Sequence, residues 1–258
     1  MPSDPLPPII AALTDFGGLR VWSLLVSVFG DLAQSRGDVI EGPVLSAMMT
    51  AMDVKPEATR VALHRLRNDG WIASEKSGRT SLHSLTAHGR AESAAASPRI
   101  YSGPAEVAQD WQLIVTEDAQ NDNTADLLAA GFVPLLPRVY LGAAKAPTPR
   151  TALVLHGESV PEWLKHQFSN DDLAREYRNL RTILERISSE LPPGTRLSPL
   201  DTAVLRCLIV HNWRRIVLKH PDLPRVLFPD TWAGHDCRAL VHALLTRFPR
   251  PSLRDIAA

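Results

Sequence analysis

Across residues 55–89 the apolar positions first recur at helical spacing and then switch to strand alternation. Following Pro56, the residues Ala58, Ala62 and Leu66 fall on one side of a helix, with Val61 beside them. Arg60, His64 and Arg67 fall together on the opposite side. Pro56 suits a first helical turn, where a missing N–H is no loss, and Gly70 supplies a C-terminal stop. Upstream, Gly42-Pro43 opens a shorter apolar helix through Val44, Leu45, Met48 and Met49, and Asp53-Val54-Lys55 connects the two. Downstream, Trp71, Ile72 and Ala73 predict one strand, residues 81–85 alternate as a second, and Lys76-Ser77-Gly78-Arg79 forms the turn. The order is helix, tight turn, outwardly basic helix and basic-tipped hairpin, which is that of a winged helix-turn-helix.

Ahead of this unit, residues 20–34 (RVWSLLVSVFGDLAQ) predict a long helix that is apolar over more than one face. No internal repeat is present. Prolines suggest breaks near Pro98, in the 145–150 stretch (KAPTPR) and at 191–194 (LPPG), because proline disfavours helix in the residue before it. The chain accordingly divides into residues 1–97, 98–168 and 169–258. Within the second section, 112–116 (QLIVT) and 151–155 (TALVL) read as strands and 123–130 as a helix. The third section is mainly helical. Leu173, Tyr177, Leu180, Leu184, Ile187 and Leu191 form a seam at alternating spacings of four and three. Such a seam fits a second subunit and its own domain equally well, and the 20–34 helix is the other candidate for dimer contact.

Charge sharpens the location of a binding face. The 258-residue chain carries 28 Lys plus Arg against 28 Asp plus Glu, a formal net charge of zero. Yet residues 55–90 hold seven cations and only Glu57, Asp69 and Glu75 as anions, a local +4. A basic helix alone reads more readily as a solvated surface. The ordered combination with a turn, a bracing helix and a basic hairpin points instead to double-stranded DNA. Arg60, His64 and Arg67 are candidates for the major groove, and Lys76 and Arg79 for phosphates. Lys55, Thr59 and Thr80 complete the candidate DNA-binding set. Arg65 lies beside the apolar face and reads as a snorkelling or salt-bridging residue.

Other chemistry is sparse. Two cysteines, Cys207 and Cys237, make no disulfide framework, the N-terminus lacks the positive segment of a signal peptide, and the apolar run at 21–29 is too short to span a bilayer, which needs about 20 residues. These features suggest a soluble, cytoplasmic protein without membrane partners. No GxSxG, GxxxxGK, HExxH or GxGxxG motif occurs, which argues against an enzyme. His235, Asp236, Cys237 and His242 lack the spacing of a metal site, so no metal is expected. His211, Trp213, Arg214, Arg215, Lys219 and His220 could hold the phosphates and adenine of a CoA ligand; a helix with a solvated basic face accounts for them as well.

The residues Thr59-Arg60-Val61-Ala62-Leu63, Arg65-Leu66, Asp69-Gly70-Trp71-Ile72, Gly78-Arg79, Leu85-Thr86 and Gly89 resemble the PaaX family, the repressors of bacterial phenylacetate degradation. The likeness continues at Arg99-Ile100-Tyr101 and Trp111. Further on it includes residues 211–215 (HNWRR), Leu218, 221–224 (PDLP), 227–229 (LFP) and Trp232-Ala233-Gly234. His83 departs from the pattern, where a Tyr is expected in the second wing strand. The resemblance implies an α+β multidomain chain: an N-terminal winged helix-turn-helix, a central ferredoxin-like domain and a mainly helical C-terminal domain. It also implies a homodimeric repressor without a cofactor, released from its operator by an aryl-CoA thioester such as phenylacetyl-CoA, with His211, Trp213, Arg214 and Arg215 as candidate effector residues. The reading from another class is an acyl-CoA-handling enzyme that carries a winged-helix interaction module.

Overall fold

The computed structural model describes residues 4–117 and 124–257. The chain opens with α1 (Leu6–Asp15), which the sequence pattern did not reveal, and α2 (Val21–Leu32), which fills most of the expected 20–34 helix. A two-residue strand, β1 (Ile40–Glu41), leads into α3 (Gly42–Ala51) and α4 (Pro56–Asn68). The hairpin β2 (Ile72–Ser77) and β3 (Thr80–Leu85) follows, and β1 joins it to make a three-stranded antiparallel sheet in the order β1-β3-β2. Next comes α5 (Ala87–Tyr101), with Thr86 as its cap, the hydroxyl accepting from the Gly89 amide at 3.0 Å. The expected break at Pro98 does not occur, because α5 runs through it to Tyr101. Pro98 sits in the last turn, where it withholds one bond from the Ala94 carbonyl without breaking the helix.

The middle of the chain contributes β4 (Trp111–Val115), α6 (Thr124–Ala129), β5 (Val133–Leu136), β6 (Val139–Ala143) and β7 (Leu153–His156). The helix expected at 123–130 is α6 as far as it is described; Asn123 lies outside the described residues. The strand order is β5-β6-β4-β7 with every neighbouring pair antiparallel, so β6 lies between β4 and β5, the strands that α6 connects. Between β6 and β7 runs a connection without a helix. One face of this sheet closes over α6 through Ile114, Leu127, Phe132 and Tyr140.

The remainder is helical: α7 (Glu162–Phe168), α8 (Asp171–Glu190), α9 (Pro199–Val217), α10 (Ala233–Arg247) and α11 (Leu253–Ala257). Asn170 caps α8 by accepting from the Leu173 amide at 2.7 Å, and Ser198 caps α9 by accepting from Asp201 at 3.1 Å. The seam from Leu173 to Leu191 is buried inside this chain, chiefly against α10. The apolar face of α2 is likewise covered, by α9. One continuous apolar core therefore runs from α1 and α2 through α9 to α10, with α9 at its centre.

Polar side chains tie the same elements together. Asp31 of α2 has 0% exposure and accepts from Arg206 of α9 at 3.0 and 3.1 Å. The other end of that guanidinium donates to the carbonyls of Leu245 and Phe248 at 2.8 and 2.6 Å. Tyr101, at the end of α5, donates to Asp31 at 3.1 Å. A buried carboxylate is tolerable when its partner and its remaining lone pairs are satisfied in this way.

Candidate DNA interface

Two backbone motifs fix the position of α4. At its start, the Asp53 amide donates to Thr50 and the Val54 amide to Met49 at 3.0 and 2.9 Å, closing α3 in a Schellman turn. Asp53 adopts the left-handed conformation this turn requires, with φ 55°. At its end, the Gly70 and Trp71 amides donate to Arg67 and Leu66 at 3.0 and 2.8 Å, and Gly70 holds φ 71°. The glycine stop read from sequence is thus a second turn of the same kind.

The buried face of α4 is Thr59, Ala62 and Leu66, with Ala58 and Leu63 half-buried. Val61 is not part of it. At 71% exposure it stands on the outer face with Arg60, His64 and Arg67. The sequence placed Val61 beside the inner stripe, but neither α2 nor β3 reaches that flank. Arg65, on the other edge of the stripe, packs its guanidinium 4.6 Å from the ring centroid of Trp22 on α2 and pairs with Asp69 at 3.5 Å. Arg60 makes only an exposed contact with Glu57 at 3.8 Å, a pair worth little in water.

The hairpin is longer than the pattern suggested. Strand pairing continues to Ser77 opposite Thr80, so the loop is only Gly78-Arg79, with φ 60° at Gly78. Lys76 therefore lies in β2 opposite Ser81, while Arg79 sits at the tip. His83 faces Ile40 of β1 and shares a 2.8 Å hydrogen bond with Ser74. Burial and then the Arg67 charge lower its pKa, so a neutral imidazole with a hydroxyl partner fills the place where Tyr was expected.

An open groove of about 430 Å³ runs between α3, α4 and the hairpin. Thr59, Arg60, Arg67, Arg79 and Thr80 line it, with Ser46 and Thr50 of α3 on the far wall, and no carboxylate is among its lining residues. Three guanidinium groups thus converge on a lining without carboxylates, Arg60 keeping its exposed 3.8 Å contact with Glu57. Thr59 is mostly buried and donates to the Lys55 carbonyl at 3.3 Å. Lys55, His64 and Lys76 are exposed outside the groove lining.

The C-terminal candidates are placed differently. His211 and Trp213 have 0% and 1% exposure. Trp213 donates to the Ile100 carbonyl at 2.9 Å, and His211 meets Ser27 at 3.3 Å. Arg214 donates to Ser23 and Ser27, and Arg215 to the carbonyls of Phe16 and Gly17 at 3.1 and 2.7 Å. Asn212, between them, donates to Leu13 at 2.8 Å. These five consecutive residues clamp α1, α2 and α5 onto α9. Burial first, then Arg214 and Arg215, push the His211 pKa down to about 3. His220 accepts from the Tyr177 hydroxyl at 2.6 Å, and Lys219 pairs with Glu176. Among the described residues no group of three or more His, Cys, Asp or Glu could hold a metal ion, and no helix is long and apolar enough to cross a membrane.

Two family models match the chain, PaaX-like protein over residues 20–89 and PaaX-like protein C-terminal domain over residues 168–257. The chain belongs to the PaaX-like family. It is 27% identical over 250 residues to the transcriptional repressor PaaX of Escherichia coli strain K12, an alignment covering 84% of this chain and 77% of that one. Among solved structures it is similar to the uncharacterized protein Rv0674 from Mycobacterium tuberculosis, with 18% identity and a TM-score of 0.48 over 87% of this chain and 95% of that chain. The first PaaX-like match spans α2, α3, α4 and the hairpin, and the second spans α8 to α11. In three dimensions the two matched segments are one body, because α9 of the second supplies the core of the first.

Sequence reasoning missed three contributors to the face: Val61, and the hydroxyls of Ser46 and Thr50 on α3. No local signal marks the two hydroxyls, since their place in the groove depends on how α3 packs under the hairpin.

Proposed function

We propose that this chain is a transcriptional repressor that reads operator DNA with a winged helix-turn-helix, α3 and α4 forming the helix pair and β2–β3 the wing. In this reading α4 enters the major groove. Arg60, His64 and Arg67 meet base edges or phosphates, Val61 offers a methyl surface to thymine, and Arg79 and Lys76 meet the neighbouring backbone. The observation that carries it is the acid-free groove on which Arg60, Arg67 and Arg79 converge beside the exposed face of α4. Membership in the PaaX-like family, and the repressor function carried by the name of its E. coli relative, support regulation of a phenylacetate-type catabolic operon over an enzymatic role.

The finer reading is a homodimer with a ferredoxin-like central domain, released from DNA by an aryl-CoA thioester. The β5-β6-β4-β7 order with α6 in the first crossover supports the central domain, although one helix of that pattern is replaced by a plain connection. The experiment that tests DNA reading is a salt titration of duplex binding by the Arg60→Ala, Arg67→Ala double variant. Affinity should fall, and the log–log salt slope should flatten by roughly one unit per lost phosphate contact. Unchanged isotherms would remove α4 from the interface.

A further inference from the structure

The surface of α4 away from the core is chemically divided. Pro56, Arg60, Leu63 and Arg67 turn toward the groove shared with α3 and β3. Glu57, Val61, His64 and Asn68 follow one another at spacings of four, three and four, all exposed and outside the lining of that groove. Helical geometry places these four within about 60° of one another, on a stripe centred roughly 110° round from the groove side. The groove side carries guanidinium groups, and the other walls add the hydroxyls of Ser46, Thr50 and Thr80. The stripe carries a carboxylate, a branched alkyl group, an imidazole and a carboxamide, with no permanent cation.

The two sets suit different parts of a duplex. Guanidinium and hydroxyl groups meet phosphate oxygens in any sequence. A carboxylate does not, because the backbone presents one negative charge per about 1.7 Å of helix axis and repels it. The Glu57 side chain is 75% exposed, and its 3.8 Å contact with Arg60 is too weak to neutralise it. What a carboxylate fits in the major groove is an exocyclic amino group, above all cytosine N4. Asn68 and His64 are joined one turn apart, with Asn68 Nδ2 3.3 Å from His64 Nδ1. An amide nitrogen only donates, so Nδ1 accepts and the ring proton sits on Nε2, leaving a second donor on the ring. That donor matches N7 of a purine or O6 of guanine. The Asn68 carboxamide keeps an acceptor oxygen and a second N–H, the pair that reads N6 and N7 of adenine.

We propose that Glu57, Val61, His64 and Asn68 read base edges, while Arg60, Arg67 and Arg79 hold backbone phosphates in the groove. This assignment rests on the proposed DNA-reading function and divides its contacts between two sides of one helix. From Glu57 to Asn68 the stripe is about 16 Å long at 1.5 Å per residue, the rise of roughly five base pairs at 3.4 Å each. The order along the helix then gives the order along the site: an amino group, a thymine methyl, a purine acceptor and an adenine. Glu57 also sharpens the choice by repulsion. Where no amino group faces it, the duplex offers it only acceptor atoms and a negative potential.

The test enriches duplexes from a random-sequence pool with the full chain and repeats the enrichment with single variants. Glu57→Gln replaces an acceptor with a group that both donates and accepts, so preference at one position should move from C·G toward A·T by about tenfold. Its binding to unrelated duplexes should rise, because a charge that repels phosphate is gone. Asn68→Ala should lose about fivefold or more of the preference for A·T at a second position, roughly three to five base pairs away. Asn68→Ser serves if the alanine variant melts early. In these variants the slope of log affinity on log salt should stay within about half a unit of the parent's. Arg60→Ala and Arg79→Ala should instead weaken every sequence alike and flatten the slope by roughly one unit each. Unchanged base preferences in the Glu57 and Asn68 variants, or preferences that move with Arg60→Ala instead, overturn the assignment while DNA reading stands. A parent chain that enriches no sequence fails the DNA-reading function itself and the assignment with it.

Discussion

Asp31 and Arg206 lie 175 positions apart in sequence, yet both guanidinium contacts to the buried carboxylate are close to 3 Å. Removing one partner leaves the other charge stranded in the core, a loss usually of about 3–5 kcal/mol. Asp31→Asn should therefore lower the urea midpoint sharply. The paired replacement Asp31→Leu, Arg206→Met should cost much less, because the charge it leaves behind, Arg250, reaches solvent. Equal losses for the single and the paired variants would contradict this account.

Acid should weaken the fold before its carboxylates titrate. Burial pushes His211 down to about 3, and His220 and His235 each down to about 4, from an ordinary value of 6.5. Below pH 6.5 the unfolded chain takes up protons that the folded interior refuses, so stability is complete above 6.5 and declines toward pH 4. The fully buried His211 contributes up to about 1.4 kcal/mol per pH unit, and the two less deeply buried rings less. Urea midpoints at pH 7.5, 6.5, 5.8 and 5 measure the decline; a flat profile between 6.5 and 5 would exclude it.

Val61 offers a test that separates recognition from stability. It is exposed in the free protein, so Val61→Ala should shift stability by less than about 0.5 kcal/mol. On DNA it should cost about 1 kcal/mol at sites where a thymine methyl is read, with little change in salt slope. Competition between duplexes differing at single T·A pairs would detect it. An effect uniform across sequences would assign Val61 to general packing instead.

Gly89 lies where the first turn of α5 meets the hairpin root. A Cβ there would stand 2.2 Å from the Trp71 carbonyl oxygen, which is backbone and cannot swing aside. Gly89→Ala should destabilise by about 1–3 kcal/mol despite the better helix propensity of alanine. Thermal denaturation of the variant checks the sign, and a stabilised protein would show that α5 can slide.

What could be read from sequence was what the chain decides locally. Pro56, Gly70 and Gly78 mark helix ends and a turn by their own backbone chemistry, and Arg60 and Arg67 face outward because the stripe opposite them is apolar. Val61 went astray because the flank of a helix is buried or bare according to its neighbours. The 211–215 stretch suggests a ligand site because cations beside an aromatic ring bind nucleotides. Within the folded chain its hydrogen bonds go to carbonyls and hydroxyls near the other end of the chain, which no local pattern can announce. Likewise β1 has two residues and acquires its identity only by pairing with β3.

The placement of α9 has a consequence for synthesis. The ribosome makes α2 about 175 residues before its covering helix emerges. At about 5–20 residues per second that interval is roughly 10–35 s. Throughout it, the part of α2 that packs on α9 has no permanent cover, although α4 is already complete in sequence. Translation speed and holdase capture of the nascent chain thus bear on yield, and a fragment cut after the hairpin would inherit the same bare surface for good.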